Sequence, residues 1–294
     1  MFEPCERCKI QETIQRAIDG ACLPESFREL LYIPLRQQGK AFGVDQRPRW
    51  PALVLNVAAS ARAPLAPAIQ VAAAVEVFMA ALDVMDEIQD GDPSPLIESA
   101  GIGQAVGVAG ALLVLAYDML ARLPDVGVSE ARVPEFIHSL ARCALIAGGG
   151  QHLDLAAEGR SDISLDDALQ ISRMKGGMLA AAACRLGALV ATNDEDELRL
   201  YEALGYHLGT IEQLANDLED AASDSAKTDR ERQKRTLPLL YNARQDDPNA
   251  NDHGAYFFAQ VVIESERERI RCILDQLAAR HHAVEALAPL VPMS

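Results

Sequence analysis

Apolar residues recur at three- and four-residue spacing along almost the whole chain, and no stretch alternates long enough to predict a strand. Glu6–Gly20 and Glu25–Gln38 read as short amphipathic helices. Pro51–Arg62 reads as a buried helix with proline in its first turn. Pro67–Asp90 is apolar nearly throughout until an acidic C-terminal end closed by Gly91-Asp92-Pro93. Ile102–Arg122 follows, stopped by Pro124, and then Ser129–Gly159, which carries Gly148-Gly149-Gly150. Each mid-helix glycine costs roughly 1 kcal/mol, so the triplet predicts that something approaches the backbone closely there. Ser164, with an acid three residues on at Asp167, starts a helix that carries Lys175 and runs to Ala191. Asp194–Ser223 is long and ends acidic; Ser223–Gln233 is polar and reads as a loop or lid; Lys234–Ala243 and His253–Arg280 complete the pattern. The expectation is all-α, with roughly ten helices in one domain spanning 1–294.

Two acidic clusters break this apolar background. Asp83, Asp86, Glu87 and Asp90 fall within about 100° of arc on one helix. Asn216, Asp217, Glu219 and Asp220 form the second cluster, also near a predicted helix end. Acids at a helix C-terminus oppose the macrodipole, so their clustering needs a reason. An apolar wall ending in carboxylates suits an amphiphilic ligand with an anionic head, and Mg²⁺ bridges carboxylates to phosphates. Lys175, Lys234 and Arg235 are the bases placed to hold such phosphates.

Composition narrows the reading. The chain is 49% hydrophobic, enough for a large core, and its net charge of −16 argues against nucleic acid and anionic membrane surfaces as partners. That field repels an anionic substrate, so metal and local bases must reverse the sign at the site. Six cysteines with no apolar leader before them predict a reduced, cytoplasmic setting. Cys5-x-x-Cys8 is half of a zinc site with no second pair to complete it. The longest apolar run, 101–116, contains glycine and glutamine and reads as too short for a transmembrane segment.

Five motifs in order then carry a resemblance. They are Asp86-Glu87-Ile88-Gln89-Asp90, Gly150-Gln151-His152-Leu153-Asp154, Lys175 in Arg173-Met174-Lys175-Gly176-Gly177, Gln213-Leu214-Ala215-Asn216-Asp217-Leu218-Glu219-Asp220, and Lys234-Arg235-Thr236-Leu237-Pro238. Over about 47–238 the chain resembles the trans-isoprenyl diphosphate synthases, the polyprenyl synthetase family. The resemblance implies a type I isoprenoid synthase fold, helices enclosing a deep apolar pocket, and a homodimer. It implies three Mg²⁺ held by Asp86, Asp90, Asp217 and Asp220, with Asp83, Glu87 and Asn216 as further candidate ligands. Lys175, Lys234, Arg235 and Gln151 would bind an allylic isoprenoid diphosphate, Gln213 would face the allylic cation, and Arg47 and Arg49 would hold isopentenyl diphosphate. The implied activity is ionisation of the allylic diphosphate and coupling to an acceptor, with diphosphate released.

The departures concern the acceptor. Met79 stands where the resemblance implies a histidine, Trp50 where it implies an arginine, and Asn216 where it implies an aspartate. A lyase or cyclase acting on one allylic diphosphate is therefore an alternative, as is a prenyltransferase to a non-diphosphate acceptor. A catalytically inert partner subunit is the non-enzymatic alternative. Asp83 replaces an apolar residue one turn before Asp86 and, if buried, requires a partner. His138, His207 and His253 read as packing or surface residues, the His281-His282 pair as lying near a frayed end, and Glu264–Arg271 as an exposed charged face.

Overall fold

A computed structural model describes residues 4–44, 48–222, 236–243 and 253–291. Among them the regular structure is helical, with no strand. The α-helices are α1 (Pro4–Gly20), α2 (Glu25–Leu35), α3 (Arg49–Ser60), α4 (Leu65–Asp90), α5 (Pro95–Ala100) and α6 (Ile102–Ala121), then α7 (Val133–Ala157), α8 (Leu165–Ser172), α9 (Met178–Leu189), α10 (Glu195–Ala222), α11 (Leu237–Ala243) and α12 (His253–Ala279). A π-turn, Arg173–Gly177, separates α8 from α9, and 3₁₀ turns lie at Leu123–Val126, Glu130–Arg132 and Val284–Leu290. The chain divides into two compact units, one of residues 1–138, 186–193 and 283–294, the other of 139–185 and 194–282.

In the first unit α4 is the central element. From Ala68 to Val84 it is buried almost without a break, because alanine alternates with valine and lets α1, α3 and α6 approach closely. Its end is set by Gly91, whose φ of +64° only glycine adopts cheaply; the Asp92 N–H then donates to the Glu87 carbonyl at 2.9 Å. That cap fixes where the first acidic cluster sits. α3 begins at Arg49 rather than Pro51, which places the proline in the first turn, where its missing N–H costs nothing. Arg132 donates to the carbonyls of Leu189 and Thr192 and closes the end of α9.

Among the described residues two helices, α4 and α6, are long and apolar enough to cross a membrane by length and composition. The helix α6 thus extends to Ala121, past Asp118 and beyond the apolar stretch 101–116 read from the sequence. α4 spends that apolarity on the core, whereas α6 leaves Ile102, Val106 and Val114 exposed.

In the second unit α10 packs on the π-turn and on α12. The packing is close enough that a Cβ on Gly176 would stand 2.8 Å from the Gly209 carbonyl oxygen and 2.9 Å from Gln213 Cβ. Ser164 caps α8 as expected: its hydroxyl accepts from the Asp167 N–H, and the Asp167 carboxylate accepts from the Ser164 N–H. The helix predicted from Ser164 to Ala191 runs helically from Leu165 to Leu189, but with a π-turn at Arg173–Gly177 that sequence periodicity does not display. The short α5, capped by the Ser94 hydroxyl, also escaped the sequence pattern.

Candidate active site

The candidate residues fall on both units. On the first, the last turns of α4 carry Asp86, exposed, and Asp90, half-buried, one turn apart on the same face. Between them Glu87 accepts from Gln37 Nε2 at 3.0 Å through Oε1, while its buried Oε2 has no hydrogen-bond partner among the described residues. One turn earlier Asp83 pairs with Lys40 at 2.5 Å. The partner that a carboxylate there requires is therefore Lys40, a nearly buried lysine that carried no motif in the sequence.

Glu76, two turns earlier still, is fully buried, and its Oε1 accepts from the Ala41 N–H at 2.5 Å. Burial pushes its carboxyl up to about 7, against the pull of Lys40. Arg49 stacks over Trp50 with its guanidinium carbon 4.4 Å from the ring centroid, a cation–π contact. Burial lowers the Arg49 pKa to about 10, and the Asp83 charge opposes the shift. Met79 is 1% exposed and packs in the core.

On the second unit the π-turn brings the predicted residues together. Lys175 Nζ lies 2.6 Å from Asp154 Oδ2, which joins the third motif to the second. Gly150 makes this possible, since a Cβ there would stand 2.8 Å from Met174 Cβ and 3.0 Å from the Lys175 backbone nitrogen. The close approach predicted at the glycine triplet is thus real at Gly150, and its occupant is the protein's own π-turn; Gly148 faces open space.

Asp217 is 8% exposed. Gln213 Nε2 donates to its Oδ1 at 3.0 Å, and the Ser172 hydroxyl donates to its Oδ2 at 3.2 Å. Burial pushes Asp217 up to about 6, while Gln213 and the Lys175 charge pull it down. Asn216, about 100° round the helix from Asp217, is exposed. Gln151 is half-buried at the start of the last two turns of α7. Arg47, Lys234, Arg235 and the Asp220 side chain lie outside the described residues.

Three readings change. His207 is no surface residue: its Nδ1 lies 2.5 Å from Glu266 Oε2, and Arg173 donates to Glu266 Oε1 at 2.6 Å. Glu266 is 1% exposed, so the charged stretch 264–271 is not wholly a solvated face. Burial alone would raise this carboxyl, yet the hydrogen bonds from His207 and Arg173 outweigh it and hold the group at about 2. His282, expected in a frayed end, pairs with Glu197 and meets the Tyr201 ring edge-on at 5.5 Å.

Residues 28–268 match the polyprenyl synthetase family model. The chain belongs to the polyprenyl synthetase family. Among its relatives in that family is a geranylgeranyl diphosphate synthase of Mycobacterium tuberculosis, 28% identical over 81% of this chain and 70% of the relative. A farnesyl diphosphate synthase of Escherichia coli is 30% identical over 70% of this chain and 68% of the relative. Of the solved structures, the geranylgeranyl pyrophosphate synthetase from the archaeon Geoglobus acetivorans superimposes with a TM-score of 0.75, covering 99% of this chain and 100% of that one at 20% identity. That likeness carries the isoprenoid synthase fold.

The donor set fits the divalent cation expected of a polyprenyl synthetase. Among the described residues no group of three or more acidic, histidine or cysteine side chains is gathered to hold a metal. Mg²⁺ needs no such cage: it keeps several waters and is bound by one or two carboxylates together with substrate phosphates. Asp86 and Asp90, accessible and one turn apart, offer such a pair. On the second unit, taken by itself, Asp217 is a carboxylate that burial disfavours as an anion, a cost that a cation would offset.

Proposed function

We propose that the protein is a Mg²⁺-dependent trans-prenyltransferase that couples an allylic isoprenoid diphosphate to isopentenyl diphosphate and releases diphosphate. The observation that carries this reading is the second-unit cluster: Lys175 on Asp154, with Asp217 beside them held by Gln213 and Ser172, all but Ser172 from the five motifs. It presents a cation and a buried carboxylate together, the combination that binding a metal diphosphate asks for.

In this reading Asp86, Asp90, Asp217 and Asp220 hold Mg²⁺, with Asp83, Glu87 and Asn216 less well placed. Asp83 is already engaged by Lys40, and Asn216 is exposed where Asp217 is buried. When bound, the metal offsets the charge that builds on the departing diphosphate. Lys175 leaves Asp154 or shares it, and grips the allylic diphosphate with Lys234, Arg235 and Gln151. These donors point at oxygens whose charge grows as the C–O bond breaks, so they act most strongly in the transition state. Gln213 donates to Asp217 through Nε2, and in this reading its amide oxygen would face the allylic cation. Arg47 and Arg49 take the acceptor diphosphate, and the stacking on Trp50 restrains the Arg49 guanidinium for that role.

The test is incubation with geranyl diphosphate and Mg²⁺, with and without isopentenyl diphosphate, followed by mass spectrometry. Condensation products that require isopentenyl diphosphate are expected. Diphosphate release with hydrocarbon or alcohol products, unaffected by isopentenyl diphosphate, would overturn the coupling and establish a lyase instead.

A further inference from the structure

The π-turn that carries Lys175 is held from three sides. Gly150 of α7 lies against Met174, and Gly209 and Thr210 of α10 lie against Gly176 and Gly177. From α12 comes Glu266, whose two carboxylate oxygens are taken by Arg173, the first residue of the turn, and by His207 of α10. Arg269 adds a third base at 3.6 Å. The first two contacts are steric and set how close the turn can come. The third is ionic and directional, and it holds the first residue of the turn.

A π-turn is one residue out of step with the α-helices on either side of it. Its register is not secured by the ordinary ladder, and relaxing it into α-helix turns the residues beyond it by about 100°. That rotation would carry Lys175 off Asp154 and away from Asp217. A buried ion pair is a costly way to tie two helices together, and apolar packing does that as well or better. Its advantage is geometry, because the guanidinium accepts only a narrow set of positions on a carboxylate.

We infer that Glu266 is a positioning residue: through Arg173 it fixes the register of the π-turn and so aims the Lys175 ammonium at the substrate diphosphate. The inference rests on the proposed role of Lys175 as a diphosphate ligand. It assigns to α12, which carries none of the five motifs, a part in binding the substrate head group.

The test is a double-mutant cycle on the full chain. Affinity for inorganic diphosphate in excess Mg²⁺ is measured by titration calorimetry for the wild type, Glu266→Gln, Lys175→Ala and the double variant. The KM for geranyl diphosphate is measured in parallel. Misplacing a binding group by about 1 Å costs up to roughly 100-fold, so Glu266→Gln is expected to weaken diphosphate binding about tenfold and to raise KM in step. In the Lys175→Ala background the same change should alter affinity by less than about twofold, because its effect passes through that side chain. Equal losses in both backgrounds, or no loss in the wild-type background, would overturn the inference. Unchanged affinity in Lys175→Ala alone would sink the assignment of Lys175, and with it the reading on which this rests, before Glu266 is considered. If Glu266→Gln does not fold, Arg173→Met, which keeps the stem and removes the guanidinium, goes through the same cycle under the same criteria.

Discussion

Glu76→Gln should make the protein more stable at alkaline pH and leave it unchanged in acid. Glu76 is fully buried on α4; one oxygen accepts from the Ala41 N–H and the other has no hydrogen-bond partner among the described residues. Its folded pKa is about 7 against an ordinary 4.5. Raised in the fold, the carboxyl binds its proton more tightly folded than unfolded. Its contribution is therefore fully present below pH 4.5 and is lost as pH rises through about 7. A difference of this size corresponds to about 3 kcal/mol, at 1.36 kcal/mol per unit of pKa. The attraction between ionised Glu76 and Lys40 is already counted in that figure, since Lys40 is among the causes of the folded value. Glutamine keeps an oxygen for Ala41 and never ionises, and Lys40 keeps Asp83. Thermal unfolding of both proteins at pH 5 and pH 8 checks this. At roughly 2–4 °C per kcal/mol for a chain of this size or somewhat smaller, the variant should gain several degrees at pH 8 and little at pH 5. Other titrating groups cancel in the difference. A variant destabilised equally at both pH values would refute the argument, because it would mean that Glu76 is ionised in the fold and held so by Lys40.

Asp86→Ala should lower diphosphate release by at least ~100-fold, the order of losing one strong transition-state contact; wild-type turnover undiminished by excess EDTA would count against any metal role for this residue. Because Asp217 titrates near 6 and metal binds only its anion, the rise in melting temperature on adding Mg²⁺ should be larger at pH 8 than at pH 5.5, and a pH-independent rise would remove Asp217 from the ligand set. Gly205→Ala would drive a methyl into the Ala180 carbonyl, so it should cost about 1–3 kcal/mol of stability by urea titration, as overpacking does. Met79→His is expected to destabilise without improving the KM for isopentenyl diphosphate, since position 79 is closed inside the core; an improved KM would show that the substrate reaches α4 at that depth.

The helices and both acidic clusters were legible because they are local. A carboxylate at i and i+4 shares a face in any helix, and Gly91 after Asp90 announces the cap that ends α4. Asp83 was legible as a demand, since a carboxylate that close to the core needs a partner, but the identity of that partner was not. Lys40 lies 43 residues away in the chain, and only packing of the segment after α2 on α4 brings it in. The π-turn was hidden for a different reason. The close approaches that accommodate it lie at Gly150, Gly176, Gly177 and Gly209 together, and no single window of sequence contains all four. Glu266 was hidden by its neighbours. In a run of alternating charges each residue looks solvated, and the direction of one side chain depends on where Arg173 and His207 sit across the unit. Motif residues can thus be read from sequence because, in the proposed function, their types and intervals are fixed by the ligand they would hold. The residues that aim them can come from anywhere in the chain, so long as the fold delivers the right charge to the right turn.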